Sequence, residues 1–264
     1  MKTVSIFGLS GTGNTVVAAR RVAASLRRQG VDTVLRRLSP AAAVEPGEGI
    51  LGLAFPVACQ STYPLVWDFV ARLPPGDGRG VFMLDTLHAC SGGLLGPLRR
   101  QLAAKGYEPL GAVEIPMPSN LRLRAPAPGR DQAVRERAMA AIDEFAGELA
   151  AGRAVWPEGG RGEAMLHRLS RARTTWGLLR WAMRLRLDRE RCSGCALCAR
   201  LCPVGAIRLD REPALDRRSC QLCMRCYSFC PVGAIRSRIP WRPYQAVAAD
   251  RSEEHTSELQ SPNT

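Results

Sequence analysis

Residues 192–208 read CSGCALCARLCPVGAIR and residues 220–236 read CQLCMRCYSFCPVGAIR. Both follow CxxCxxCxxxCP: the first through Cys192, Cys195, Cys198, Cys202 and Pro203, the second through Cys220, Cys223, Cys226, Cys230 and Pro231. Eight of the ten cysteines lie in these runs, which start 28 residues apart and both end in CPVGAIR. Such a match is an internal duplication. The spacing suits [4Fe-4S] cubanes, because three thiolates on one tight loop reach three irons and the fourth iron needs a cysteine from elsewhere. Pro203 and Pro231 stop the chain from continuing as helix and turn the fourth thiolate back. Two zinc sites would want cysteines in two pairs with a longer gap and no third CxxC step. Disulfides need an oxidising compartment that nothing in the chain marks.

Upstream of the cysteines, residues 161–191 carry nine arginines against Glu163, Asp188 and Glu190. Met165, Leu169, Ala172, Trp176, Leu179, Met183 and Leu187 fall at helical spacing and predict one amphipathic connector helix over 161–187. Three roles are open for it. Its stripe could pack on a neighbouring domain with the arginines solvated, it could lie on an anionic membrane surface, or it could dock an acidic protein partner. The formal charge of +13 is uneven: residues 1–150 hold 17 basic and 13 acidic side chains, residues 151–264 hold 20 and 11, and only Lys2 and Lys105 are lysine. No nucleic-acid-binding signature accompanies the charge, so nucleic acid is not an expected partner. Downstream, residues 251–264 read RSEEHTSELQSPNT. The first eleven of these resemble the translation of a sequencing-adapter oligonucleotide, and the segment is set aside from function, leaving the natural C-terminus open beyond about Asp250.

The other end of the chain carries the second informative stretch. Residues 3–8 predict a short apolar strand, residues 10–15 read SGTGNT, and a helix is predicted from there to residue 28. Strand, Gly- and hydroxyl-rich turn and helix together make a phosphate cradle. Gly11 and Gly13 let backbone N–H groups approach, Ser10, Thr12, Asn14 and Thr15 supply polar side chains, and the helix dipole favours an anion. The stretch lacks both the GxGxxG of dinucleotide folds and the GK[ST] of P-loop NTPases, which leaves a monophosphate such as that of FMN. There is no secretory signal and no run of 18 apolar residues, so a cytoplasmic chain without a membrane span is expected.

Further strands are predicted at 33–38, 50–55, 80–85 and 110–115, and helices at 65–73, 95–105 and 132–150. Residues 40–48 read as a loop. Alternating strands and helices predict an α/β domain with a parallel sheet.

On these motifs, residues 1–152 resemble flavodoxin and residues 188–240 resemble a two-cluster bacterial ferredoxin. The chain is similar to the flavodoxin-ferredoxin fusion proteins, a family of iron-sulfur flavoproteins. The resemblance implies a doubly wound five-stranded parallel sheet in the order 2-1-3-4-5 with FMN at the carboxyl ends of its strands. A small α+β 2[4Fe-4S] domain follows, joined through the connector at 153–187. In the bacterial arrangement the distant cysteine of each run serves the other cluster. Carried over, cluster I takes Cys192, Cys195, Cys198 and Cys230, and cluster II takes Cys220, Cys223, Cys226 and Cys202. Phe55-Pro56-Val57 matches an FPVY-type segment, Thr86 to Gly93 stands where the family has a TYGG-type loop, and Met117-Pro118-Ser119-Asn120 matches an MPxN segment. Pro56, Val57, Thr86, His88, Gly92 and Gly93 are the implied ring-flanking residues.

The chain departs from the family where a tyrosine would stack on the flavin: it offers Ala58 in one loop and Leu87-His88 in the other. His88 either substitutes in part or is a surface loop residue. Cys59 and Cys90 read as small hydrophobes or as a thiol beside the flavin. The expected function is electron transfer between two [4Fe-4S] clusters and FMN, with a redox protein as donor or acceptor. Two alternatives stand beside it: an FMN-dependent reductase of a quinone or other small acceptor, and a ferredoxin whose flavodoxin-like half is a flavin-free docking module. No nicotinamide fingerprint is present.

Overall fold

The computed structural model describes residues 3–43, 49–123, 128–160, 162–209 and 213–246. The tail 251–264 and most of the loop predicted at 40–48 lie outside these. The apolar N-terminal run forms β1 (Val4–Gly8), and the Gly-rich turn leads into α1 (Asn14–Arg28). Then come β2 (Thr33–Arg37), β3 (Ile50–Ala58), β4 (Ser61–Thr62), α2 (Pro64–Arg72), β5 (Gly80–Leu87), α3 (Leu95–Ala104), β6 (Glu108–Pro116) and α4 (Pro128–Ala150). Five strands run parallel in the order β2-β1-β3-β5-β6. With the two-residue β4 set aside, this is the 2-1-3-4-5 order of a flavodoxin-like sheet.

The sheet follows from its sequence. β3 is buried from Leu51 to Phe55, as a central parallel strand covered on both faces must be. Ile6, Phe82, Leu84 and Ile115 face one side, where Ala18, Val22 and Leu26 of α1 and Ile142 and Phe145 of α4 close the core. The i, i+4 spacing of the α1 residues gives that helix a single apolar face. Arg21 Nε donates to Asp143 Oδ1 at 2.9 Å and ties the two helices at the surface. Gly52 makes room inside the sheet, since a Cβ there would stand 2.6 Å from Phe82 Cζ and 2.8 Å from Ile6 Cγ1. The Arg-rich β2 does form, as an edge strand with Val34 and Arg36 exposed.

Two local features differ from the sequence reading. β3 runs on past residue 55 to Ala58 and turns back, pairing Val57 with Thr62 and Ala58 with Ser61. Cys59 and Gln60 make the turn at φ 54° and 62°. A turn with two positive φ values is usually marked by Asn-Gly, and Cys-Gln does not announce it. The connector is two helices rather than one: α5 (Glu163–Arg171) and α6 (Arg173–Met183), separated by Ala172 with an extended ψ of 135°. That break rephases the stripe. Trp176 and Met183 are buried as expected, but Met165 and Leu169 stand 64% and 55% exposed. α5 instead turns inward Glu163, Leu166, His167 and Ser170, another set at i, i+3, i+4, i+7 spacing.

The chain divides into two units, with a boundary at the α5–α6 break. The first holds the parallel sheet and runs to Arg171. The second holds residue 172 onward together with Gly11–Gly13 and, of the described residues, 120–123. It contains α6, β7 (Arg186–Leu187), α7 (Leu197–Leu201), β8 (Ile207–Leu209), β9 (Pro213–Leu215), α8 (Arg225–Phe229) and β10 (Ile235–Arg236).

The 28-residue repeat becomes a pseudo-twofold in this unit. β7 pairs antiparallel with β10 through Ile235↔Leu187, and β8 with β9 through Ile207↔Leu215, the same pair moved by one repeat. Asp188 N–H donates to Ala234 O and Asp216 N–H to Ala206 O, both at 2.8 Å. Each pairing joins residues of different copies, so neither copy completes its own sheet. Leu185, Ile207, Leu222, Met224 and Ile235 fill the shared core with Met183 of α6.

Candidate metal centres and cofactor loop

The crossed pairing sorts the eight cysteines into two walls. One cavity is lined by Cys202, Cys220, Cys223 and Cys226, and a second by Cys192, Cys195, Cys198 and Cys230. In each, three cysteines come from one copy and the fourth from the other. All ten cysteines are free thiols.

The loops around both cavities repeat the same backbone. Gly194 and Leu222 have φ of 71° and 57°, Ala196 and Met224 have 61° and 58°, and Gly205 and Gly233 have 63° and 61°. Only Gly adopts this left-handed region freely; other L-residues are strained there by roughly 1–2 kcal/mol each. The strain persists because these residues swing successive cysteines toward one centre. Ala206 N–H donates to Cys202 Sγ and Ala234 N–H to Cys230 Sγ, each at 3.2 Å, and Leu222 N–H to Cys220 Sγ at 3.4 Å.

The two groups differ in their surroundings. Burial pushes the Cys220 thiol up to about 11, and burial with the neighbouring thiols carries Cys226 well above its ordinary value. Burial also raises Cys223, against the opposing charge of Arg225. In the other cavity burial raises the Cys198 thiol, but Cys195 is exposed, and the N–H of Leu197, aided by the Ser193 hydroxyl, lowers its thiol. Metal binding needs thiolates, so the buried group must give up more tightly held protons on loading. Among the described residues no three His, Cys, Asp or Glu side chains are grouped as ligands of a single ion. The donor set fits a cubane, which takes one thiolate per iron around a cage.

In the N-terminal loop, Ser10, Thr12 and Thr15 are buried. Thr15 Oγ1 and Thr86 Oγ1 share a hydrogen bond of 2.7 Å between the start of α1 and the end of β5, and Asn14 Nδ2 donates to Pro118 O at 2.9 Å. The loop holds no carboxylate, and its hydroxyls, glycines and helix N-terminus suit a phosphate. Gly11 lies so close to the Cys223 carbonyl that a Cβ would meet its oxygen at 2.2 Å.

The ring-flanking candidates are placed differently. Thr62 Oγ1 donates to Pro56 O at 3.0 Å, and Val57 belongs to the β3–β4 hairpin. His88 is exposed and Thr86 is buried. Gly93 N–H donates to Gln60 O at 2.7 Å, so the two loops are joined. α5 covers them: a Cβ on Gly93 would lie 2.6 Å from His167 N, and one on Gly92 3.2 Å from Leu166 Cδ1. His167 Nδ1 donates to Gly93 O at 3.2 Å and its ring meets Trp67 edge-on at 4.6 Å. Glu163 Oε1 accepts from Gly96 N at 2.8 Å, capping α3. Cys90 Sγ donates to Gln60 Oε1 at 3.4 Å, which places that thiol in a loop contact.

Sequence reasoning missed Glu163, His167 and Arg225. The first two act across more than sixty residues of chain, with no local signal. Arg225 could have been found by aligning the two repeats, where it stands opposite Leu197.

Residues 185–208 and 213–236 each match the 4Fe-4S binding domain family. No curated protein sequence matches the chain. Among solved structures, a flavodoxin of Streptococcus pneumoniae TIGR4 is 20% identical over 57% of this chain and 99% of its own, with a TM-score of 0.41. The two-electron reduced Megasphaera elsdenii flavodoxin is 22% identical over 57% and 99%, with a TM-score of 0.40. Flavodoxin 2 of Bacillus cereus is 19% identical over 56% and 98%, with a TM-score of 0.41. No helix among the described residues is long and apolar enough to cross a membrane. The chain thus carries a C-terminal 4Fe-4S binding domain behind a flavodoxin-like parallel sheet.

Proposed function

We propose that the chain is an electron-transfer iron-sulfur flavoprotein. Cys192, Cys195, Cys198 and Cys230 hold one [4Fe-4S] cluster, Cys220, Cys223, Cys226 and Cys202 hold a second, and the loop from Ser10 to Thr15 holds the phosphate of FMN. The observation that carries this reading is the division of eight thiols between two cavities, four to each, with the fourth supplied by the other copy. When bound, such clusters exchange single electrons and a flavin exchanges one or two, so the pairing converts one kind of transfer into the other.

The chain's own residues have distinct parts in this. Ser10, Thr12 and Thr15 donate to the phosphate, with Thr86 orienting Thr15 through their shared hydrogen bond. Pro56, Val57 and His88 would border the ring, and neither Ala58 nor Leu87 supplies an aromatic side chain to stack on it. The arginines of 161–191 steer a redox partner with an acidic surface. A reducing, cytoplasmic setting goes with cysteines kept as cluster ligands rather than as disulfides.

The cover of α5 over Gly92 and Gly93 favours a second reading, in which the flavodoxin-like unit docks partners without a flavin. Anaerobic reconstitution with iron, sulfide and FMN, followed by desalting and an absorption spectrum, separates the two. Retained flavin absorbance at about one FMN per chain supports the flavoprotein; an iron-sulfur spectrum without flavin supports the docking unit. Slow, indiscriminate reduction of quinones supports a carrier, whereas rapid turnover of one acceptor would make the chain a reductase.

A further inference from the structure

The two cavity walls are almost the same wall twice. Every residue lining the Cys192 cavity has its 28-residue counterpart in the lining of the Cys220 cavity, including Leu187 with Leu215, Val232 with Val204 and Ile235 with Ile207. Three pairs differ, Ser193 with Gln221, Ala196 with Met224 and Leu197 with Arg225, and only the last changes the charge of the wall. Arg225 is the single charged residue in either lining. It is 4% exposed, it opens α8 immediately before Cys226, and its Nη1 donates to Leu201 O at 3.1 Å.

Reducing a cluster adds a negative charge to its cavity. A fixed cation in the wall favours that charge, and more strongly in a low-dielectric setting than at the surface. The guanidinium stays protonated throughout the working pH range, so its effect is permanent. Burial of Cys220 and Cys226 acts the other way, because a dry site disfavours added charge. The same dryness strengthens the Arg225 charge, which stands in the wall itself, and so the cation prevails. We infer that Arg225 holds the potential of the cluster at Cys202, Cys220, Cys223 and Cys226 above that of its twin, and makes it the resting place of the first electron. This rests on the two-cluster reading above.

The test is an anaerobic redox titration followed by electron paramagnetic resonance, on chains first shown to carry about eight irons. The wild type should show two midpoints. Arg225→Leu, which copies Leu197, should lower the upper midpoint by at least a tenfold change in reduced-to-oxidised ratio, about 59 mV for one electron. Arg225→Lys should keep most of the wild-type value. Leu197→Arg should raise the lower midpoint, and it decides the matter if Arg225→Leu does not load. Fully loaded Arg225→Leu or Leu197→Arg protein with unmoved midpoints would overturn the inference. A wild type without iron removes the cluster reading itself, and the inference falls with it.

Discussion

Cys202 belongs to the first cysteine run by sequence but shares a cavity wall with Cys220, in the second. The antiparallel pairing of β8 with β9 explains this, since Ile207↔Leu215 and Asp216 N–H to Ala206 O fold the end of the first run onto the start of the second. The crossed grouping has a measurable consequence in pairs of substitutions. Cys202→Ser should lose about four irons of about eight. Cys202→Ser with Cys220→Ser should lose no more than the single change, because both touch one cavity. Cys202→Ser with Cys192→Ser should lose nearly all. Iron content per chain after anaerobic purification checks this; additive loss in the first pair would contradict the shared cavity.

Strain in the loops predicts opposite signs for two glycine substitutions at equivalent positions. Ala196 is at φ 61° and partly exposed, so Ala196→Gly relieves strain with little lost packing and should stabilise by about 0.5–1 kcal/mol. Met224 is at φ 58° but is buried in the shared core. Met224→Gly should destabilise by about 2 kcal/mol, since the lost side chain outweighs the strain. Denaturant midpoints of the two variants, compared with the wild type, test the pair.

Asp85 is fully buried in β5 with neither carboxylate oxygen hydrogen-bonded, and its register partner on β6 is Glu114, whose Oε1 is also buried and unpartnered. Burial first, and then the Glu114 charge, raises the Asp85 carboxyl well above the ordinary aspartate range. The folded state therefore holds a proton that the unfolded state releases, and stability must fall as pH rises from the ordinary aspartate value through the folded one. Asp85→Asn removes that slope. Thermal melts from acid to neutral pH should show a shallower decline for the variant; parallel curves would contradict this assignment.

His167 points the other way. Its burial, with Arg171 and Arg100 nearby, lowers its folded value despite the hydrogen bond to Gly93 O. In the range below the ordinary imidazole value the unfolded state then binds more protons, so stability is lost as pH falls. α5 should loosen from Trp67 and Gly93 on mild acidification, read as faster amide exchange in 163–171. His167→Phe, which cannot be protonated, should keep its exchange rates level across that range.

Much of this was legible in the sequence because it rests on periodicity and repetition. The apolar strands at Val4, Ile50 and Gly80, the turn before Asn14 and the doubled cysteine runs each announce themselves in a contiguous stretch of chain. What stayed hidden depends on contacts between distant residues. The stripe counted from Met165 to Leu187 crosses Ala172, where an extended backbone breaks the phase, and no residue type there signals a stop. The Cys59-Gln60 turn uses residues that rarely take positive φ. The cover of Gly93 by His167 spans 74 residues and leaves no local trace.

The most direct test of the account is the iron, acid-labile sulfide and zinc content of the anaerobically prepared chain. About eight irons and eight sulfides per chain, without zinc, is the expected result for two interleaved cubanes. Two zinc ions and no sulfide, or about four irons that survive Cys202→Ser unchanged, would contradict it.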